Sequence, residues 1–532
     1  MEHSPERQNA PDTPFSPTEK KNKSLVLKLS IFATGLSGIV AEYIMATLAT
    51  YLIGNAVVQW TLTISVMLFA MGVGSRQSKF TGESRVLDMF ILTELLLSLL
   101  VALSATTAYF LTAYIRQAAF VIYPTAFVIG FLIGMELPLA TRLNDRFEEL
   151  RINISSVMEK DYFGALFGGI FFAFFALPHL GLTYTPIVLG SLNFLIAAML
   201  FFEFRESVHF KQALFGGAIG SAIFLVALFF LAKPIVLFGE QQRYQDRVVY
   251  EEQTVYQKIV VTEWRGYYWL YLNNNEQFSS YDEERYHEPL VHPAMRASVS
   301  RRHILILGGG DGLALREILK YPDVETITLV DIDPQMTELA KTHPIFSTLN
   351  HASLESEKLT VINQDAYTFL MSAPMIYDVV LVDLPDPKSV DLARLYSKEF
   401  YELVKKHLAK GGTMVTQATS PSFARKAFLS IQKSVEAAGL PALGYHNHVP
   451  TMGEWGWVLG VNLDSLSRAK IKQTLSSLEF DSLDTRFLNH DAMLSMLNFG
   501  KETYDDYEEI EPTDETNFAV FHYYRNFGWE IY

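Results

Sequence analysis

The sequence predicts two architectures in one chain: an α-helical transmembrane bundle, then a Rossmann-like doubly wound α/β domain that opens with a small β-subdomain. Three observations predict this. Residues 25–238 are almost continuously apolar, while the remainder has ordinary globular composition. From residue 303 onward, short buried-strand patterns alternate with helical ones, as in a mostly parallel sheet covered on both faces. Between these regions, residues 246–280 carry short β-type runs. The implied segments are 1–24, 25–240, 241–300 and 301–532.

Residues 1–24 are polar, rich in Pro, Ser, Lys and Asn, and read as a disordered cytoplasmic tail. About seven apolar runs follow, near 25–53, 57–75, 87–113, 118–140, 161–179, 184–203 and 213–238. Each is long enough to cross ~30 Å of hydrocarbon as a helix. The first is too long for a cleaved signal peptide, and more runs follow it. Lys20, Lys21, Lys23 and Lys28 flank the first run; Arg76, Lys79 and Arg85 lie in the second loop. Arg142, Arg146, Arg151 and Lys160 lie in the fourth, Arg205 and Lys211 in the sixth. The odd loops hold almost none, Arg116 excepted. The positive-inside rule then predicts a multi-pass protein of the plasma (bacterial inner) membrane with a cytoplasmic N-terminus. Seven spans would put the second half outside unless one run is re-entrant or split.

Small residues four apart, Gly130 with Gly134, Gly164 with Gly168 and Gly216 with Gly220, predict close helix contacts. Glu42, Glu94 and Glu136 fall within or at the ends of spans. A carboxylate there either serves a cation path or is protonated or paired to lock the bundle. The net charge of −15 argues against a nucleic-acid surface and suits a cationic ligand. The absence of cysteine excludes disulfides, thiolate zinc sites and cysteine nucleophiles.

In the second half, strands are predicted at 303–307, 326–330, 359–362, 379–382, 413–417 and, last, 456–461. Helices are predicted at 312–320, 335–342, 366–371, 398–408 and 421–438. Ligands of such sheets bind at the carboxyl ends of the strands, where strand order reverses. Four segments there carry chemistry. The loop at 306–312, with Gly308 and Gly310, permits close backbone approach to a ligand. Asp311 inside it would repel a pyrophosphate and favours a cation, which points to an adenosylmethionine-type ligand over NAD. Asp331 ends the next strand, placed to accept from both ribose hydroxyls. Asp365 ends the third, facing an adenine amino group or capping the next helix. Asp383 and Asp386 end the fourth. A diamine carries two charges, and one nitrogen must lose its proton before attacking carbon; two carboxylates in one cleft meet both needs.

Residues 250–460 resemble the spermidine synthases, the polyamine aminopropyltransferases. The likeness rests on TyrGln at 256–257, the segment 277–288, ValHisProAla at 291–294, GlyGlyGlyAspGly at 308–312 and ArgGlu at 316–317. It continues through AspIleAspPro at 331–334, AspLeuProAspPro at 383–387 and the segment 395–401. Segments 35–42, 134–139 and 161–169 are similar to the subgroup in which the synthase is fused to transmembrane helices. The resemblance implies decarboxylated S-adenosylmethionine as co-substrate, contacted by Gln257, His287, Asp311, Asp331 and Asp365, with no permanently bound cofactor and no metal. It implies Asp383 as the base, with Tyr286, Asp386 and Gln417 on the amine, putrescine by default. A homodimer is the family's habit. Departures concentrate on the amine side: Pro385 where Ser or Thr is usual, LysSerValAspLeuAla at 388–393 for a glycine-proline-alanine stretch, and no tyrosine beside Pro450. Asn273 and Asn274 also replace the usual AspGly. His292 and Pro293 are expected to shape a loop, Trp455 and Trp457 to be core, and 502–515 to be solvated surface. Competing functions are an S-adenosylmethionine-dependent methyltransferase and a membrane polyamine transporter or sensor.

Overall fold

The computed structural model describes residues 17–525 except 55, 116, 146, 148, 374 and 465. Residues 1–16 of the expected tail, and Arg116 and Arg146, lie outside the described residues. Two compact units divide the chain, Met1–Gln245 and Asp246–Tyr532.

The first unit is helical: α1 Pro17–Ile53, α2 Ala56–Ser78, α3 Val86–Thr112, α4 Ala119–Asn144, α5 Leu150–Phe171, α6 Gly181–Glu203 and α7 Lys211–Arg243. Residues 17–24, expected as tail, instead form the first turns of α1. Among the described residues six continuous helical runs are long and apolar enough to cross a membrane, against the seven expected. The difference lies in one 53-residue run, Arg151–Glu203. A straight helix of that length would be ~80 Å long, over twice a bilayer core. It is not straight. Pro178, lacking an N–H, sits in a π-helical stretch over Phe172–Leu180, and Gly181 then leaves helical space at φ 61, ψ −172. The two limbs pack in opposite senses. Gly164 and Gly168 meet Phe32 and Leu36 of α1 in ascending order, so α5 runs parallel to α1. Gly190 of α6 abuts Ser98, while Ile187 clusters with Ala102 and Ile196 with Leu95, so α6 runs against α3.

Backbone approach through glycine holds these helices together. A Cβ on Gly134 would lie 2.1 Å from the Met71 carbonyl, and one on Gly164 2.0 Å from that of Phe32. Gly216 and Gly220, expected to do the same, have nothing within 4 Å. Polar contacts gather the even loops on one face. Arg142 binds the carbonyls of Ser78 and Thr81 at 3.1 and 2.7 Å and pairs with Glu83. Asp88 accepts from the backbone of His209 and Phe210 at 2.9 and 2.8 Å. At the other ends of α1, α3 and α7, Tyr51 packs on Tyr109, binds Glu240 at 2.7 Å and lies under Arg243.

The second unit starts with an antiparallel sheet, β1 Arg247–Gln253, β2 Lys258–Trp264, β3 Tyr267–Leu272 and β4 Asn275–Ser279, in that order. Asn273 and Asn274, at φ 49 and 65, form its last two-residue turn, so replacing AspGly leaves the left-handed geometry such turns need. Helix α8, Glu284–Ala297, follows and is nearly all buried. His292 and Pro293 lie within it, not in a loop: His292 is bound to Tyr321 at 3.0 Å and Glu317 at 2.9 Å.

Strands and helices then alternate: β5 His303–Gly308, α9 Leu313–Ile318, β6 Thr326–Asp331, α10 Pro334–Thr342, α11 Pro344–Leu349, β7 Leu359–Asn363, α12 Ala366–Ser372 and β8 Tyr377–Asp383. Next come α13 Val390–Ala393, α14 Lys398–Lys406, β9 Leu408–Gln417, α15 Arg425–Ala437, β10 Ala442–Val449 and β11 Gly453–Val461. The sheet order is β10-β11-β9-β8-β5-β6-β7. β5 to β9 are parallel and the β10–β11 hairpin closes one edge antiparallel, β10 being a strand the sequence pattern missed. Order reverses between β5 and β8, where a ligand cleft is expected. Three short helices, α16 Arg468–Leu475, α17 His490–Met496 and α18 Ala519–Arg525, complete the unit. The acidic stretch 502–515 is tied down rather than merely solvated: Arg425 pairs with Asp506 at 2.5 Å, and Tyr507 and Ile510 are buried.

Substitution at the glycine crossings tests this packing. G134L is expected to destabilise the detergent-purified protein by about 2–3 kcal/mol through overpacking, whereas G216L leaves its thermal midpoint unchanged.

Candidate functional site

At the switch point the β5 turn runs through Gly308, Gly309 and Gly312 at φ 83, 64 and 82. A Cβ on Gly308 would lie 2.0 Å from the Asp383 carbonyl, and one on Gly310 2.5 Å from Asp331 Oδ2. Only bare backbone lets the turn sit against both strand ends. It therefore brings Asp311, Asp331 and Asp383 to one edge.

Asp331 accepts from the N–H of Gly310 at 3.0 Å and of Asp333 at 2.9 Å. Burial outweighs these bonds and pushes its carboxyl up to about 6. Asp311 accepts from Leu313 N–H at 2.8 Å and is likewise raised by burial, with His287 acting against the rise. Asp333 is a buried cap of α10 and also accepts from Thr254 at 2.8 Å and from Gln257 at 2.9 Å. Gln257 thus stands beside this edge from β1–β2. Asp365 caps α12, accepting from Thr368 N–H at 2.8 Å, at the end of the third strand.

His287 is buried, its Nδ1 2.8 Å from Glu283, and Arg316 holds the same carboxylate at 2.7 Å. Burial alone would lower the imidazole; the Glu283 pair, with Asp311 and Asp383 nearby, outweighs it and holds the group at about 9. The edge therefore contains one protonated histidine whose charge Glu283 largely cancels.

Asp383 ends β8 and accepts from Tyr286 at 2.6 Å. Burial raises it to about 6, opposed first by His287. Asp386, on the loop beyond, is also raised by burial. It accepts from Tyr524 at 2.8 Å and faces Gln417 at 3.4 Å. Gln417 is fixed by the Leu384 carbonyl at 2.7 Å and by the Tyr396 hydroxyl. Trp457 packs in the core, 5.8 Å from Tyr445 and 5.6 Å from Tyr286.

The fold thus brings Asp311, Asp331, Asp383 and Tyr286 directly around the turn, and Asp386 and Gln417 beside β8 and β9. Four residues escaped the sequence reading. Glu283 and Tyr396 sit in recognised segments but act through a histidine and a glutamine. Lys388, whose ammonium is lowered by burial beside Asp386, binds Asn275 at 2.5 Å. Tyr524 arrives from α18, some 140 residues from its partner, and no motif marks it.

The fold and this edge define a class: an α/β transferase that handles cationic ligands at a nucleoside-type turn. A Spermine/spermidine synthase domain model matches residues 283–471. Polyamine aminopropyltransferase 2 of Aquifex aeolicus is 44% identical over 482 residues, covering 90% of this chain and 94% of that protein. The polyamine aminopropyltransferase of Oceanobacillus iheyensis is 38% identical over 90% of this chain and 92% of its own length. Polyamine aminopropyltransferase 1 of Ralstonia nicotianae is 36% identical over 96% of each. The solved spermidine synthase of Thermotoga maritima covers 49% of this chain and 88% of itself, with TM-score 0.44 and 20% identity. The chain belongs to the polyamine aminopropyltransferase family, and its relatives share the apolar half as well as the α/β half.

The raised carboxyls have a sign. A carboxyl raised from 3.8 to about 6 favours the folded state most below pH 3.8, and that contribution is lost as pH rises through 6. At neutral pH the charge on Asp383 opposes folding. D383N keeps the Tyr286 contact without the charge, and is expected to stabilise the ligand-free protein by about 1–2 kcal/mol at pH 7.5, read by thermal unfolding.

Proposed function

We propose that this enzyme transfers the aminopropyl group of decarboxylated S-adenosylmethionine to putrescine or a related amine, giving spermidine or its analogue and methylthioadenosine. One observation carries the assignment to this edge: Asp383 ends β8 and Asp386 lies on the loop just beyond, beside a glycine turn that gathers Asp311 and Asp331. In this reading Asp331 takes the ribose, Asp365 faces the adenine, and Asp311, Gln257 and His287 line the donor's remaining length. Gly308 and Gly310 admit its sulfonium end. Asp386 and Gln417 hold the far ammonium of the diamine, and Tyr286 orients Asp383.

The attacking nitrogen must be neutral. Asp383 accepts its proton; the nitrogen lone pair then forms the new C–N bond to the methylene on sulfur as the C–S bond breaks. The bonding pair returns to sulfur, and methylthioadenosine leaves uncharged. The positive charge stays on the product amine. Positioning and proton removal supply the catalysis.

The helical unit we read as spanning a membrane with its N-terminus cytoplasmic, since Lys23 and the basic loops gather on one face. Seven alternating limbs deliver the chain after Arg243 to the opposite face. A pair of C-terminal reporters, one active only outside the cytoplasm and one only inside, tests this parity; activity of the inside reporter alone overturns it.

Purified protein supplied with decarboxylated S-adenosylmethionine and a panel of amines is expected to release methylthioadenosine. Supplying the carboxylated donor with release of S-adenosylhomocysteine instead would make it a methyltransferase. D383N is expected to lower kcat by at least about 100-fold. The kcat/KM profile is expected to fall below about pH 6, as Asp383 and Asp331 protonate. Y524F is expected to raise KM for the amine several-fold with KM for the donor unchanged, because the phenol donates to Asp386.

A further inference from the structure

Apart from the α/β site, the helical unit contains a second cluster of acids that the transfer reaction does not use. Glu94 on α3 is 0% exposed, and among the described residues its carboxyl finds no partner but the neighbouring carboxyl of Glu136. Glu136 on α4 is its acidic neighbour and has Asp161 of α5 within electrostatic reach. Glu136 also lines a small cavity with Thr34, Ser37, Asn193, Leu97 and Val101. Asn193 on α6 is 2% exposed, and its Oδ1, in that cavity's wall, is unpartnered. Ser98, one turn beyond Glu94, leaves its hydroxyl unpartnered too.

The charged groups within electrostatic reach of Glu136 are the acids Glu94 and Asp161. α7 carries no charged residue between Lys211 and Lys233, and α6 none before Glu203. Among the described residues no basic side chain pairs with Glu42, Glu94, Glu136 or Asp161. Val86 to Glu94 and Glu136 to Asn144 are each eight residues, so both acids lie about 12 Å in from the helix ends at the basic-loop face. Two adjacent carboxyls that meet each other at that depth need a shared proton or a metal cation between them. The donor set is entirely oxygen, which suits hard, compact cations. The cavity is too narrow for water as it stands, which selects the smallest guests.

We propose that Glu94, Glu136 and Asn193 form a compact-cation site within the helical bundle, binding an exchangeable proton that an alkali ion can replace. The site rests on the reading that the bundle spans a membrane, and that reading has its own assay: retention of the full-length protein in lipid vesicles after a carbonate wash. For the site itself, full-length protein in lipid nanodiscs is followed by infrared spectroscopy of the protonated-carboxyl band. In wild type the band is expected to fall as pH rises and as LiCl or NaCl is added at fixed pH. The pH arm reads the proton, and the salt arm reads the alkali ion. E94Q and E136Q are each expected to remove part of the band, the double variant nearly all of it, with methylthioadenosine release unchanged. E159Q, outside the cluster, leaves the band intact. If the Gln variants do not fold, N193A keeps both acids and is expected to weaken the response to alkali ions. A band that ignores pH and salt alike, or survives both Gln substitutions, overturns the proposal. So does one displaced by putrescine but by neither protons nor alkali ions.

Discussion

The second unit depends on one close approach: the backbone of Gly308 against the carbonyl of Asp383. Parallel pairing of β5 with β8 sets these residues opposite each other, and no side chain larger than hydrogen fits between them. That contact makes the end of one strand and the turn after its neighbour a single surface. Asp331 is locked to the same turn through Gly310 N–H. The carboxylates at the ends of β6 and β8 therefore share one edge because of backbone geometry.

Burial then decides the chemistry of that edge. Asp311, Asp331, Asp383 and Asp386 are all raised, and in each the largest cause is loss of water. His287 with Glu283 and Arg316 moderates the charge without cancelling it. Such an edge suits cationic ligands. Asp383 near 6 remains ionised at neutral pH yet is more basic than an ordinary aspartate. Asp386 is held by Tyr524, Gln417 and the nearby Lys388, so its setting depends on residues outside the matched domain as well as within it.

The helical unit uses the same device for a different end. Glycine-to-carbonyl contacts at Gly134, Gly164, Gly190 and Gly239 bring helix backbones together alongside the buried apolar side chains between them. Packing this tight leaves little room for water inside, so the few acids there are exposed to each other rather than to solvent.

Periodicity alone carried the helical runs, the β-subdomain and the five parallel strands, because these signals are local and buried strands read as apolar runs. The glycine turn and the acids 311, 331, 365, 383 and 386 were legible because each lies at or just beyond the carboxyl end of a strand, and strand ends meet at the switch point. Other features were not legible. Two apolar runs were legible on either side of Gly181, but the continuous π-helical passage that joins and reverses them needs a backbone conformation that no pattern reveals. Strand β10 was missed because its alternation is broken by His446, Asn447 and His448. Gly216 and Gly220 match the spacing of a helix contact but face open space. Tyr524 meets Asp386, and Asn193 meets Glu136, across long stretches of chain. The sequence by itself determined which residues could carry charge, turn tightly or cross a membrane. The tertiary structure alone decided which of them meet and which lose their water, because burial and long-range contact belong to the packed chain and not to any segment of it.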